Sequence, residues 1–187
     1  MTKFEMKQDV LALIEELNPD NEYLTDDPDI SAKIDSVMNH VQNEIARFKH
    51  IPRYVEMSVK AGDLVDFEQL TNLVGNEIYQ IAIVRGVKHE YRAEGTVIKF
   101  LEDGTAEIDV FIYPTQINAK TKDKAHEFEL SIDALEIMVY GVAADLLKSD
   151  ESAGYGQIYA NRYTDMMERL NSRYAKPSIT FEGGVVV

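Results

Sequence analysis

The stretch that decides the fold is residues 27–60, DPDISAKIDSVMNHVQNEIARFKHIPRYVEMSVK. It begins with a helical period and ends with a period of two. Asp27 is a good N-cap, Pro28 stands where a missing N–H costs nothing, and Asp29 complements the positive end of the helix dipole. Ile30, Ile34, Val37, Val41, Ile45 and Phe48 follow at steps of 4, 3, 4, 4 and 3. One face is apolar for about five turns, so this helix must pack against others. Ile51-Pro52 closes it. From Tyr54 onward, Val55, Met57 and Val59 alternate with Glu56, Ser58 and Lys60, the pattern of a half-buried strand.

Toward the N-terminus, Val10, Ile14 and Leu17 predict a helix over Lys3 to Leu17, ended by Asn18-Pro19 because the residue before proline leaves the helical region. A polar, acidic loop leads to Asp27. Toward the C-terminus, Gly62-Asp63 is a turn. Residues 64–76 are ambiguous: Phe67, Leu70 and Val74 could share a helical face, but Gly75-Asn76 breaks it. Ile78 to Val84 reads as a buried strand. Thr96 to Leu101 and Thr105 to Tyr113 read as a hairpin joined by Glu102, Asp103 and Gly104, because Asp-Gly between β-rich runs is a strong turn signal. Glu127 to Leu130 predicts one more short strand.

Helix then returns. Asp133 and Glu136 suggest a capping box, and Leu135, Met138, Val139, Val142, Leu146 and Leu147 form a broad apolar face. Gly141, Ala143 and Ala144 permit a neighbouring helix to come close. Ser149-Asp150-Glu151 forms a corner. A last helix, from about Ser152 to Tyr174, carries Tyr155, Tyr159, Tyr163, Met166, Leu170 and Tyr174 on one stripe. Tyrosine stripes pack in cores and are also enriched at interfaces, so Tyr155, Tyr159 and Tyr163 are candidate subunit-contact residues. Pro177 forbids further helix. Ile179, Phe181, Val185, Val186 and Val187 give the last residues an apolar, extended character and mark a candidate partner-binding tail.

The expectation is an α+β fold. Two N-terminal helices (1–52) and two C-terminal helices (131–176) form a bundle, a β-rich hairpin or small sandwich (53–130) is inserted, and an extended tail (177–187) follows. Each amphipathic helix face needs a partner, which is why the pairs are expected to meet.

Composition excludes more than it assigns. The chain has 187 residues, 45% of them hydrophobic, and no cysteine, so disulfides, thiolate metal sites and cysteine nucleophiles are excluded. No apolar run approaches the ~20 residues that span a bilayer. The start, Met1-Thr2-Lys3-Phe4-Glu5, lacks a signal-peptide layout, and a cytosolic start is expected. With 19 basic and 33 acidic residues the net charge is −14, a field that repels phosphate backbones and anionic lipid. The basic stretch from Asn118 to Lys124 is interrupted by Asp123 and reads as a solvated loop. His40, His50, His89 and His126 show no metal-ligand spacing. The acidic loop around Asp20, Glu22 and Asp26 lacks the glycine and distal glutamate of an EF-hand. No phosphate-binding glycine loop or nucleophile elbow is present. The chain is therefore expected to be no enzyme and to carry no cofactor or metal.

The run from Asp133 to Glu151, followed by Tyr155, Tyr159, Tyr163 and Met166 to Leu170, resembles the C-terminal helix pair of head–tail connector (adaptor, head-completion) proteins of tailed bacteriophages. In that family an alanine-rich helix ends in a Leu-Leu-x-x-Asp-type corner and a Tyr- or Phe-bearing helix follows. The N-terminal layout is similar too. The resemblance implies a structural protein of the virion, made in the host bacterial cytoplasm and placed at the head–tail junction. It implies a homo-oligomeric ring, commonly of twelve subunits, bound to the portal protein on one side and to a tail or second connector protein on the other. DNA passes only through the channel, and no membrane is involved. On this reading Ile179, Phe181 and Val185 to Val187 contact the portal or a neighbour, and Glu102, Asp103 and Gly104 form a hairpin-tip contact. The alternatives are another tail-completion or tail structural protein, or a soluble enzyme without a recognisable motif.

Overall fold

In a computed structural model, which describes residues 1–118, 120–148 and 153–172, helix α1 (Lys3–Leu13) starts from a capping box. The Thr2 hydroxyl accepts the Glu5 N–H, and the Glu5 carboxylate accepts the Thr2 N–H. The helix stops four residues short of Leu17. Glu15 takes a left-handed φ of 63°, and the Glu16 N–H closes onto the Leu11 carbonyl. Helix α2 (Pro28–Lys49) begins as its sequence predicts: Asp27 Oδ1 accepts the N–H groups of Asp29 and Ile30 at 2.7 and 3.1 Å.

Strands β1 (Ile51–Val59), β2 (Leu64–Asp66), β3 (Ile78–Arg85), β4 (His89–Arg92), β5 (Val97–Phe100) and β6 (Gly104–Ile112) form two antiparallel sheets, ordered β1-β6-β3 and β2-β5-β4. Residues 64–76 resolve into β2 and helix α3 (Phe67–Val74), which Asp66 and Gln69 start with a second capping box. β1 pairs with β6 without interruption, Ile51 opposite Ile112 and Val59 opposite Gly104.

The expected hairpin over Glu102-Asp103-Gly104 is not formed. β5 pairs with β2 and β4, whereas β6 pairs with β1 and β3. The chain changes sheets at 101–103, and it does the same at 60–63 and 86–88. The two sheets therefore keep one strand order through three bent ribbons. The turn that reverses the chain is Ala93–Gly95, at the far end of the smaller sheet. Both strands keep their alternation, with Ile98 and Phe100 buried in one and Ala106, Ile108, Val110 and Ile112 in the other. A hairpin and a bent strand carry the same alternation in sequence. The strand expected at Glu127 to Leu130 is also absent. Phe128 and Leu130 are buried, but only a single bridge, Thr2 to Glu127, forms there.

Helices α4 (Ile132–Leu146) and α5 (Ala153–Ser172) complete the fold. Ser131, not Asp133, occupies the N-cap of α4. The Asp133 carboxylate instead meets Lys49 at 3.0 Å, joining α4 to the end of α2. The chain is α+β, with five α-helices and two small three-stranded sheets among the described residues, but the expected bundle with a β insert is not its layout. α1 meets α2 through Lys3 and Lys7 on Asp35, but each packs chiefly on α4, which also carries α5. α3 lies inside the β region. One continuous core joins Met6 and Val10 of α1, Met38 and Ile45 of α2, Met138 and Val142 of α4, and Ile98 and Ile108 of the sheets. Hydrophobic burial couples the helical and β parts, so the β region is not an appendage. Gly141 lets α2 and α5 come close to α4: a Cβ there would stand 2.8 Å from both Val41 and the Tyr163 ring.

Candidate functional site

Glu102, Asp103 and Gly104 sit where a ribbon bends between sheets. Asp103 Oδ1 accepts the Ala61 N–H at 2.7 Å and Glu102 Oε1 accepts the Lys88 N–H at 2.9 Å, so each carboxylate satisfies a backbone donor at a neighbouring bend. Gly104 lies against Val87, whose Cγ1 a Cβ would meet at 2.6 Å. These residues hold the bend together.

The tyrosines of α5 divide by role. The Tyr159 hydroxyl donates to the Leu13 carbonyl at 2.8 Å, and the Tyr163 hydroxyl to Glu44 Oε2 at 2.9 Å. Burial, with the charge of Glu44 and its hydrogen bond, pushes the Tyr163 hydroxyl well above the ordinary tyrosine range. Both side chains thus serve the chain's own packing. Tyr155 is 66% exposed, and so are Ile158 at 60% and Ile132, at the start of α4, at 67%. Tyr174 and the tail residues Ile179, Phe181, Val185, Val186 and Val187 lie outside the described residues, as does the corner Ser149-Asp150-Glu151.

A second group has no counterpart in the sequence reading. His50 stacks on Phe111 with ring centres 4.2 Å apart, and Tyr79 lies 4.9 Å from Tyr113. Arg47 Nε and Nη2 donate to the Tyr113 hydroxyl. The Tyr79 hydroxyl gives its one proton to the Ala46 carbonyl at 2.8 Å, so His50 Nδ1, 2.8 Å away, must be the donor to Tyr79. Burial first, and Tyr113 second, push Tyr79 up to about 12, while burial lowers His50. The cluster clamps the end of α2 to β3 and β6. Beside it the outer face of the larger sheet exposes Tyr54 and Ile83, with Asp109, across from both, held by Arg85 at 2.7 Å. Only the spacing of β1 hinted at this face, by placing Tyr54 opposite in phase to Val55.

Among the described residues no three His, Asp or Glu side chains gather as a metal site, and no helix is long and apolar enough to cross a membrane. The arrangement offers apolar and aromatic surface rather than converging polar groups. No family model matches the chain, and no curated protein matches it.

Proposed function

We propose that this chain is a ring-forming structural adaptor of a tailed bacteriophage, docked between the portal and the tail and continuing the DNA channel. The observation that carries the reading is the placement of exposed apolar side chains on two separate surfaces. Tyr54 and Ile83 share one face of the sheet, both opposite Asp109, and Tyr155 and Ile158 lie about one turn apart on α5. A ring needs two different complementary patches on every subunit, because its contacts are head-to-tail. Exposed apolar patches on an otherwise charged protein mark contact surfaces. The resemblance of the Asp133–Glu151 and Tyr155–Leu170 stretches to connector proteins supplies the identity of the assembly. On this reading the tail, through Ile179, Phe181 and Val185 to Val187, reaches the portal or a neighbouring subunit. A net charge of −14 would let DNA slide through the lumen without adhering.

The test is assembly on the portal protein of the virus that encodes the chain. Sedimentation of the mixture should give a complex holding several copies per portal ring. The tail-tube protein alone binding the chain, with the portal inert, would reject the reading.

A further inference from the structure

We infer that His126 is an acid-operated latch: it holds the first turn of α1 against the loop over 120–130 and releases it when the imidazole takes a proton. The attachment itself is backbone. The Lys3 N–H donates to the His126 carbonyl at 2.9 Å, the Phe4 N–H donates to the Asp123 carbonyl at 3.0 Å, and Thr2 bridges Glu127. The first N–H groups of a helix have no acceptor within it, so Lys3 and Phe4 depend on this loop. The His126 ring stands edge-on to Phe128, with centres 5.3 Å apart, and Phe128 is buried. His126 Nε2 is buried without a hydrogen-bond partner among the described residues, which is true of no ring nitrogen of His40, His50 or His89.

The charges around the imidazole leave it no counter-ion. Lys3 and Lys7 come from α1, Asp35 from α2 and Asp123 from the loop, and these two cations and two carboxylates pair with one another. Glu129, further along the loop, is held by Arg53 at 2.7 Å. Lys122, Lys124 and Glu127 are exposed, with Lys124 over the Phe4 ring, and the Met1 amino group acts on Glu5. A proton on His126 therefore adds a cation beside Lys3, in a balanced group and away from water. Burial first, and the Lys3 charge second, hold the imidazole below its usual 6.5 against the pull of Glu129 and Asp35. The folded chain takes this proton less readily than the unfolded one. The attachment is thus complete above pH 6.5 and weakens as pH falls through 6.5 toward the lowered value. Asp123, held below 3.8, keeps its charge over that range. To be protonated the imidazole must reach water, and it takes with it the carbonyl that holds Lys3. The inference stands apart from the portal reading.

The test is amide hydrogen exchange by NMR on the full chain from about pH 7.5 to about pH 5, each rate divided by that of an unstructured peptide at the same pH. Protection of the Lys3 and Phe4 amides should fall below pH 6.5 by up to about tenfold per pH unit, the limit for one proton, while the β1–β6 ladder keeps its protection. In His126→Gln, which cannot take the proton, that fall should disappear, and in the unaltered chain the His126 imidazole should titrate below 6.5. Flat protection of Lys3 and Phe4 in the unaltered chain overturns the inference, as does a ladder that loses protection alongside them. So does the same fall in His126→Gln, or an imidazole that titrates at or above 6.5. If His126→Gln fails to fold, the exchange and the imidazole titration of the unaltered chain decide.

Discussion

The Asp103 carboxylate accepts the Ala61 N–H at 2.7 Å, fastening the bend of one ribbon to the bend of the next. Because strands change sheets at these bends, the carboxylate does what a ladder hydrogen bond does elsewhere in a strand. Asp103→Ala should cost about 1 kcal/mol in chemical denaturation. It should also speed hydrogen exchange at Ala61 more than at amides of the β1–β6 ladder.

The glycine at another bend is under a stricter requirement. Gly86 has φ 89°, and a Cβ there would stand 2.4 Å from the Thr105 carbonyl oxygen. Gly95 has nearly the same φ, 90°, but open space around it. Left-handed backbone alone costs roughly 1–2 kcal/mol for an L residue. Gly86→Ala should therefore destabilise by about 3 kcal/mol or more, and Gly95→Ala by about 1, as read from urea midpoints.

These bends also mark the limit of what the sequence makes legible. The helical period and the cap at Asp27 depend on local geometry, and the structure carries the cap and the period from Ile30 to Ile45, while Phe48 at the end of the stripe stands 46% exposed. Two capping boxes, Thr2 to Glu5 and Asp66 to Gln69, are written in the same local code. The partner of a strand is different. Val97–Phe100 and Gly104–Ile112 have the same alternation whether they fold on each other or continue through a corner, and Asp103-Gly104 suits either. The His50, Tyr79 and Phe111 cluster likewise joins residues far apart in the chain, and no period within one element announces it.

A half-buried ion network ties the N-terminus down. Lys3 lies 2.7 Å from Asp35 and 2.8 Å from Asp123, and Lys7 is 3.1 Å from each carboxylate. Burial alone would raise the Asp123 carboxyl, but its hydrogen bond to Lys3 and the lysine charges outweigh that and hold it below its usual 3.8. Burial would likewise lower Lys3, yet Asp123 and Asp35 keep it above 10.5. The Asp123 contribution is thus present above about pH 3.8 and lost as pH falls through the depressed value. The Lys3 contribution is complete below about pH 10.5 and lost as pH rises through the elevated value. Asp123→Asn should flatten the acid side of the stability profile, and an unchanged acid slope would refute the assignment. Lys3→Met should cost about 2 kcal/mol at neutral pH, less than a fully enclosed pair would, because both carboxylates keep some contact with water.

Helix packing around α4 predicts an asymmetric response at Gly141. Gly141→Ala gains about 1 kcal/mol of helix propensity but crowds Val41 and Tyr163, so the net change should be small. Gly141→Val adds bulk without that gain and should destabilise by about 2–3 kcal/mol. Thermal denaturation of the two variants, side by side, reads the difference.

The proposed assembly of this chain as a ring on a portal is read by native mass spectrometry of the chain mixed with that portal. The full chain should load many copies onto each portal ring, and a chain lacking residues 177–187 should keep its fold by circular dichroism yet load none. A full chain that leaves the portal bare at tens of micromolar would rule out portal docking, and a truncated chain that loads normally would rule out the role of the tail.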